Sequence, residues 1–155
     1  MEAIEIRRAA GQDADALTGL MHASRAYRRG MYVTALAGYR ITADYIVRRQ
    51  VFAAVDSTGQ VVGFYAYAFG FPQVVELQWL FVADALQGRG IGTRLIRHAL
   101  ARARAAGYAG VGVIAHPPAE GFFARLGGAR TGEVPAVPPH IRWERTRFML
   151  PTDDE

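Results

Sequence analysis

Residues 74–106 read VVELQWLFVADALQGRGIGTRLIRHALARARAA. Val74 to Val82 is an apolar run rich in β-branched and aromatic residues, with Glu76 and Gln78 as its strongly polar members. That composition predicts a strand buried over much of its length. From Leu95 onward the apolar residues fall at Leu95, Ile96, Ala99, Leu100 and Ala103, with arginines at 94, 97, 102 and 104 between them. The spacing predicts a helix with one core face and one wet face, ended by Gly107. Gln87-Gly88-Arg89-Gly90-Ile91-Gly92-Thr93 joins the two. Glycines let a backbone turn sharply and approach a ligand closely. The first N–H groups of the helix lack internal partners and, with the helix dipole, suit a phosphate or pyrophosphate.

Three phosphate loops compete for this segment. A P-loop needs Gly-Lys-Ser/Thr, and the chain has no lysine. A dinucleotide loop needs a third glycine where Thr93 stands, and a carboxylate about 20 residues further on is missing. The pattern Gln/Arg-x-x-Gly-x-Gly/Ala is met by Gln87, Gly90 and Gly92. A plain strand-to-helix turn would use the same glycines; the flanking strand and helix favour the ligand-binding reading. On these residues the segment resembles the acyl-CoA-binding motif of the GNAT superfamily of N-acetyltransferases.

The 155 residues are 51% hydrophobic and 21% charged, enough for one domain with a real core. We expect that domain over residues 1–150, followed by a polar tail at 151–155. With no cysteine, disulfides, thiolate nucleophiles and zinc-thiolate sites are excluded. Without lysine there is no Schiff-base chemistry. No metal site is expected. The net charge of +4 raises nucleic-acid binding as a reading, but the arginines are scattered, so a basic surface serving an anionic cofactor fits better. No apolar run is long enough for a membrane span, and the N-terminus lacks a signal-peptide core. The expectation is a cytoplasmic protein without membrane or nucleic-acid partners.

In chain order, the sequence predicts a strand at Ala3–Arg8 and a helix from Asp13 to about Tyr27, with Ala16, Leu17, Leu20 and Met21 inward. Arg28–Gly38 reads as loop or short helix. Thr42 is the expected N-cap of a helix to about Arg49. Strands at Val51–Val55 and Val61–Phe69 flank the turn Asp56–Gln60, and Phe71-Pro72-Gln73 turns into the central strand. Gly110–Ala115 is a strand parallel to Val74–Val82 by right-handed crossover. A short helix at Ala119–Leu126, a strand at Arg130–Val134, a proline-rich loop at Pro135–Pro139 and a strand at Arg142–Leu150 complete the chain.

A second match to the GNAT superfamily lies at His116–Gly128, which is similar to its Asn-x-x-Ala-x-x-Phe/Leu-Tyr-x-x-x-Gly-Phe pattern. Ala119-Glu120-Gly121-Phe122, with Gly132-Glu133-Val134-Pro135 after it, resembles one bacterial subgroup of unsettled substrates. The resemblance implies an α+β fold in α/β/α layers. Its sheet is mixed and mostly antiparallel, of about seven strands, splayed at a central parallel pair, with about four helices. It further implies that acetyl-CoA is the cosubstrate, held by the amides of Gln87, Gly88, Arg89, Gly90, Ile91, Gly92 and Thr93. The pantetheine arm would pair with Leu80, Phe81 and Val82. Dimers are frequent among such proteins, so a homodimer is an expectation by analogy.

The candidate catalytic residues are Glu76, on a strand where relatives often carry a glutamate, and His116, which ends the parallel strand and replaces the superfamily's asparagine. Glu76 and Gln78 should share one face, because side chains alternate. Phe123 falls within the cofactor-binding set at the position where many relatives carry a tyrosine that protonates the leaving thiolate. Tyr65 and Tyr67 are possible substitutes. His22, Tyr27, Tyr32 and Gln78 are candidates for substrate contacts, with an acceptor pocket expected from the first helices and the Val134–Ile141 loop. Its few carboxylates argue against a polyamine or aminoglycoside. Two functions stay open: acetyl transfer from acetyl-CoA to a primary amine of a small molecule, and acyl-CoA binding with weak or no catalysis.

Overall fold

A computed structural model describes residues 3–28, 32, 34–71 and 74–153. Its strands are β1 (Glu5–Arg8), β2 (Val51–Val55), β3 (Val61–Phe71), β4 (Val74–Val82), β5 (Gly110–Ala115), β6 (Ala129–Val134) and β7 (Arg145–Pro151). The helices are α1 (Ala14–Ala23), α2 (Ala43–Arg48), α3 (Ile91–Ala105) and α4 (Glu120–Arg125). The strands form one seven-stranded sheet in the order β1-β2-β3-β4-β5-β7-β6. Only β4 and β5 run parallel. Their pairing starts at Val74–Gly110 and stops at Leu77–Val113, so Gln78 to Val82 have no β5 partner. The central pair therefore splays, as expected.

Helices cover both faces because the strands alternate. Leu95, Ile96, Ala99 and Ala103 of α3 pack with Leu77, Phe123, Phe148 and Leu150 on one side. Leu17 and Met21 of α1 and Ile46 of α2 pack with Val51, Phe64 and Phe81 on the other. Full burial of each of the larger of these side chains, the alanines apart, contributes about 1.5–3 kcal/mol. At Gln78 the register against β3 slips: Ala66 pairs with Trp79, and Tyr67 with Leu77. This bulge shifts the alternation, so Val75 and Leu77 face the α3 side while Trp79 and Phe81 face the α1 side.

Several boundaries differ from the sequence reading. Helix α1 ends at Ala23, where Ser24 turns extended, and a 3-10 turn takes Arg25–Tyr27. Ala16 is exposed; Leu17 and Met21 are the residues fully inside. Thr42 does cap α2, accepting the Tyr45 N–H at 3.0 Å. Pro117–Ala119 forms a 3-10 turn ahead of α4, and β7 begins only at Arg145. Pro72 and Gln73 of the expected turn, and 29–31 and 33 of the expected loop, lie outside the described residues. The tail is tied further out than expected: Pro151 ends β7, and Thr152 is buried, bonding Ala109 and Tyr108 carbonyls at 3.2 and 2.8 Å.

Candidate active site

The turn from β4 to α3 is shaped by two glycines. A short 3-10 turn, Asp84–Leu86, precedes it, and Gln87 donates its side-chain N–H to Val82 and Asp84 oxygens at 3.4 and 3.3 Å. Gln87 thus staples the loop. Asp84 also accepts the Arg25 backbone N–H at 3.0 Å, which fixes the end of α1 beside it. Gly88 and Gly90 have φ of +80° and +82°, a conformation that costs an L residue about 1–2 kcal/mol. Space above both is open, and Gly90 caps α3 with no side chain bonded to its N-terminal amides. Among the described residues the N–H groups of Ile91, Gly92 and Thr93 have no hydrogen-bond acceptor. Gly92 differs: a Cβ there would lie 3.3 Å from the Phe122 ring, so its smallness lets α4 pack on the first turn of α3.

A cleft of about 810 Å³ opens where β4 and β5 separate. Leu77, Gln78 and Trp79 of β4, Ile114 and His116 at the end of β5, and Trp143, Arg145 and Arg147 of the last segment line it. Ala35, Leu36, Val134 and Ile141 line its rim. The Thr34 hydroxyl donates to the His140 carbonyl at 2.6 Å, holding the proline-rich loop against this rim. Glu76 is the one carboxylate of the lining, and it forms an ion pair with Arg147. Because β4 bulges at Gln78, Glu76, Gln78 and Trp79 all reach the cleft. Gln78 accepts a hydrogen bond from the Tyr45 hydroxyl.

His116 is fixed on three sides. Its Nε2 donates to the Ala26 carbonyl at 2.6 Å. A carbonyl only accepts, so the proton sits on Nε2 and Nδ1 keeps its lone pair. The ring stacks on Tyr27 at 3.8 Å between centroids, with Tyr32 edge-on at 4.6 Å. Burial pushes its pKa below 6.5, partly offset by the Ala26 bond, so the neutral ring prevails at pH 7.

The profile of the acetyltransferase (GNAT) family matches residues 18–128, most of the chain. This chain belongs to the GNAT acetyltransferase family. Solved GNAT structures carry the same fold at low identity. PaiA N-acetyltransferase from Thermoplasma acidophilum, solved with coenzyme A, superposes with TM-score 0.77 at 15% identity, covering 96% of this chain and 99% of that one. An N-acetyltransferase from Staphylococcus aureus Mu50 gives 0.74 at 18%, covering 97% and 99%. YncA from Salmonella typhimurium, solved with its cofactor acetyl-CoA, gives 0.74 at 22%, covering 99% and 96%. No curated protein matches the sequence.

Within this GNAT chain the sequence candidates divide. Glu76, Gln78, Tyr27 and His116 share the cleft, and Tyr32 touches it through His116 and Trp143. His22 is not in its lining: it bonds the Tyr39 carbonyl at 2.6 Å and lines a smaller recess that adjoins the cleft at Tyr27 and Leu36. Phe123 is 3% exposed and packs between Phe122 and Phe148 in the α3-side core. Tyr65 and Tyr67 are not available to replace a missing acid. Their hydroxyls are engaged on the α3 side, Tyr65 with His98 Nδ1 at 2.8 Å and Tyr67 with the Ala99 carbonyl. Arg145 and Arg147 were missed, because three scattered arginines in the last strand region look like any wet edge. The alternation Trp143, Arg145, Arg147, Met149 was the available signal.

Proposed function

We propose that this protein transfers the acetyl group of acetyl-CoA directly to a primary amine of a small molecule. The observation that carries the reading is the join of two features at one splay. Free amides at the start of α3, flanked by left-handed Gly88 and Gly90, lie at one end of β4. A cleft lined by Leu77, Gln78, Ile114 and His116 opens where β4 leaves β5. The donor loop fits a pyrophosphate: among the described residues the first α3 amides have no acceptor, and the space above Gly88 and Gly90 is open. Gly88 to Thr93 would hold the pyrophosphate, and the edge of β4 from Leu80 to Val82 would align the pantetheine arm. When bound, acetyl-CoA supplies an activated acyl carbon and a thiol leaving group.

The chain's own residues supply the acceptor side. His116 Nδ1 takes the proton that the amine gives up. Glu76 is paired with Arg147 at the cleft floor, so the pair adds no net charge there. Phe123 offers no proton to the leaving thiolate, whose ordinary thiol pKa of about 8.5 lets it depart through water. That same residue favours the second reading, acyl-CoA binding with weak catalysis. Thiol release from acetyl-CoA over a panel of small amines separates them. Turnover supports transfer; tight coenzyme A binding with no thiol release on any amine supports the second reading.

A further inference from the structure

Charge in the cleft is lopsided. Glu76 is neutralised by Arg147, and it is the lining's one carboxylate. Arg145 then remains as a cation: among the described residues it forms no ion pair, and its one hydrogen bond is from Nη2 to the Pro135 carbonyl at 3.3 Å. Its Nε–H is buried with no partner. Two residues earlier, Trp143 is 7% exposed, and its indole N–H is likewise buried and unpartnered. Buried donors are rarely left so, because leaving the bond unmade forfeits the water the donor gave up. Both belong to the same wall of the same cleft. A wall with a free guanidinium and an orphan indole N–H wants an acceptor-only anion, and a carboxylate is the simplest small group of that kind.

Resting on the acetyltransferase reading, we propose that the acceptor is an amine that also carries a carboxylate, an amino acid in the broad sense. Arg145 binds its carboxylate with Trp143 completing the seat, while Tyr27, Trp79 and Leu77 pack its apolar part. The net cationic wall disfavours simple alkylamines and polyamines, whose only charge is positive.

Two matched series test this: phenylalanine, phenylalaninamide and 2-phenylethylamine; and 6-aminohexanoate, its amide and hexylamine. Thiol release gives kcat/KM, and calorimetry gives coenzyme A affinity. We expect the carboxylated member of at least one series to exceed its amide about 100-fold. Arg145→Gln should raise KM for that acid about tenfold or more and leave the amide's KM and coenzyme A binding unchanged. Trp143→Phe should act in the same direction to a smaller degree. Amides or plain amines accepted as well as the acids, or no acid accepted while coenzyme A binds, overturns the inference and spares the cofactor site. Loss of all coenzyme A binding by the unaltered protein overturns the acetyltransferase reading itself.

Discussion

Glu76 on β4 and Arg147 on β7 form an ion pair across the face of β5, and Gly112 is what lets them meet. A Cβ at position 112 would stand 2.4 Å from the Arg147 guanidinium and 2.7 Å from a Glu76 oxygen. The pair ties three strands together directly below the splay, with both side chains largely shielded, Arg147 28% and Glu76 18% exposed.

Arg147→Met should therefore destabilise the protein by about 1–3 kcal/mol, since it strands a half-buried carboxylate. The figure sits below that for fully buried pairs because water still reaches both groups. Glu76→Met with Arg147→Met should recover most of it. Urea unfolding of both singles and the double closes the cycle; additive effects would show that the pair has no coupling. Gly112→Ala should open the pair and lower kcat/KM without unfolding the chain.

His116 gives a pH signature in stability and in rate. Its pKa is depressed in the folded state, so folding binds fewer protons there. The stability it contributes is complete above 6.5 and is lost as pH falls through the folded value. Tm should drop on acidification below 6.5, and His116→Asn, which can still donate to Ala26, should flatten part of that drop. His98, depressed in the same direction by burial, adds to the drop. The rate constant kcat/KM should fall on the same acid limb, and His116→Asn should lose about 10²–10⁴ in kcat. A variant with the parent's full rate and acid limb would remove His116 from the proton path.

Phe123→Tyr restores the hydroxyl at the position of the superfamily's acid. The ring is buried, so an unpartnered hydroxyl costs up to about 1–3 kcal/mol and Tm should fall. If thiolate departure limits turnover, kcat should rise at least about tenfold, within the range general acids supply. An unchanged kcat in a folded variant would place the slow step elsewhere.

The sequence carried the order strand, glycine turn, helix over residues 74–106, because apolar period and glycine punctuation are local signals, but not the start of α3 at Ile91 or the 3-10 turn Asp84–Leu86. It also carried the parallel crossover and the place of the splay. The bulge at Gln78 was not legible: nothing in Leu77-Gln78-Trp79 marks an extra residue, since the slip is set by pairing with Ala66 and Tyr67. The partners of Glu76 and His116 were equally hidden. Arg147 and Ala26 lie 71 and 90 residues away, and only the sheet order brings them in. The packing of Phe122 against Gly92 was hidden for a related reason, as Phe122 arrives from α4.

Calorimetric titration with coenzyme A tests the central claim most directly. The unaltered protein should bind one equivalent, and Gly90→Glu should bind none while keeping its fold. That substitution places a carboxylate among the α3 amides and forces an L residue into φ of +82°. Absence of binding by the unaltered protein, or equal binding by Gly90→Glu, would contradict it.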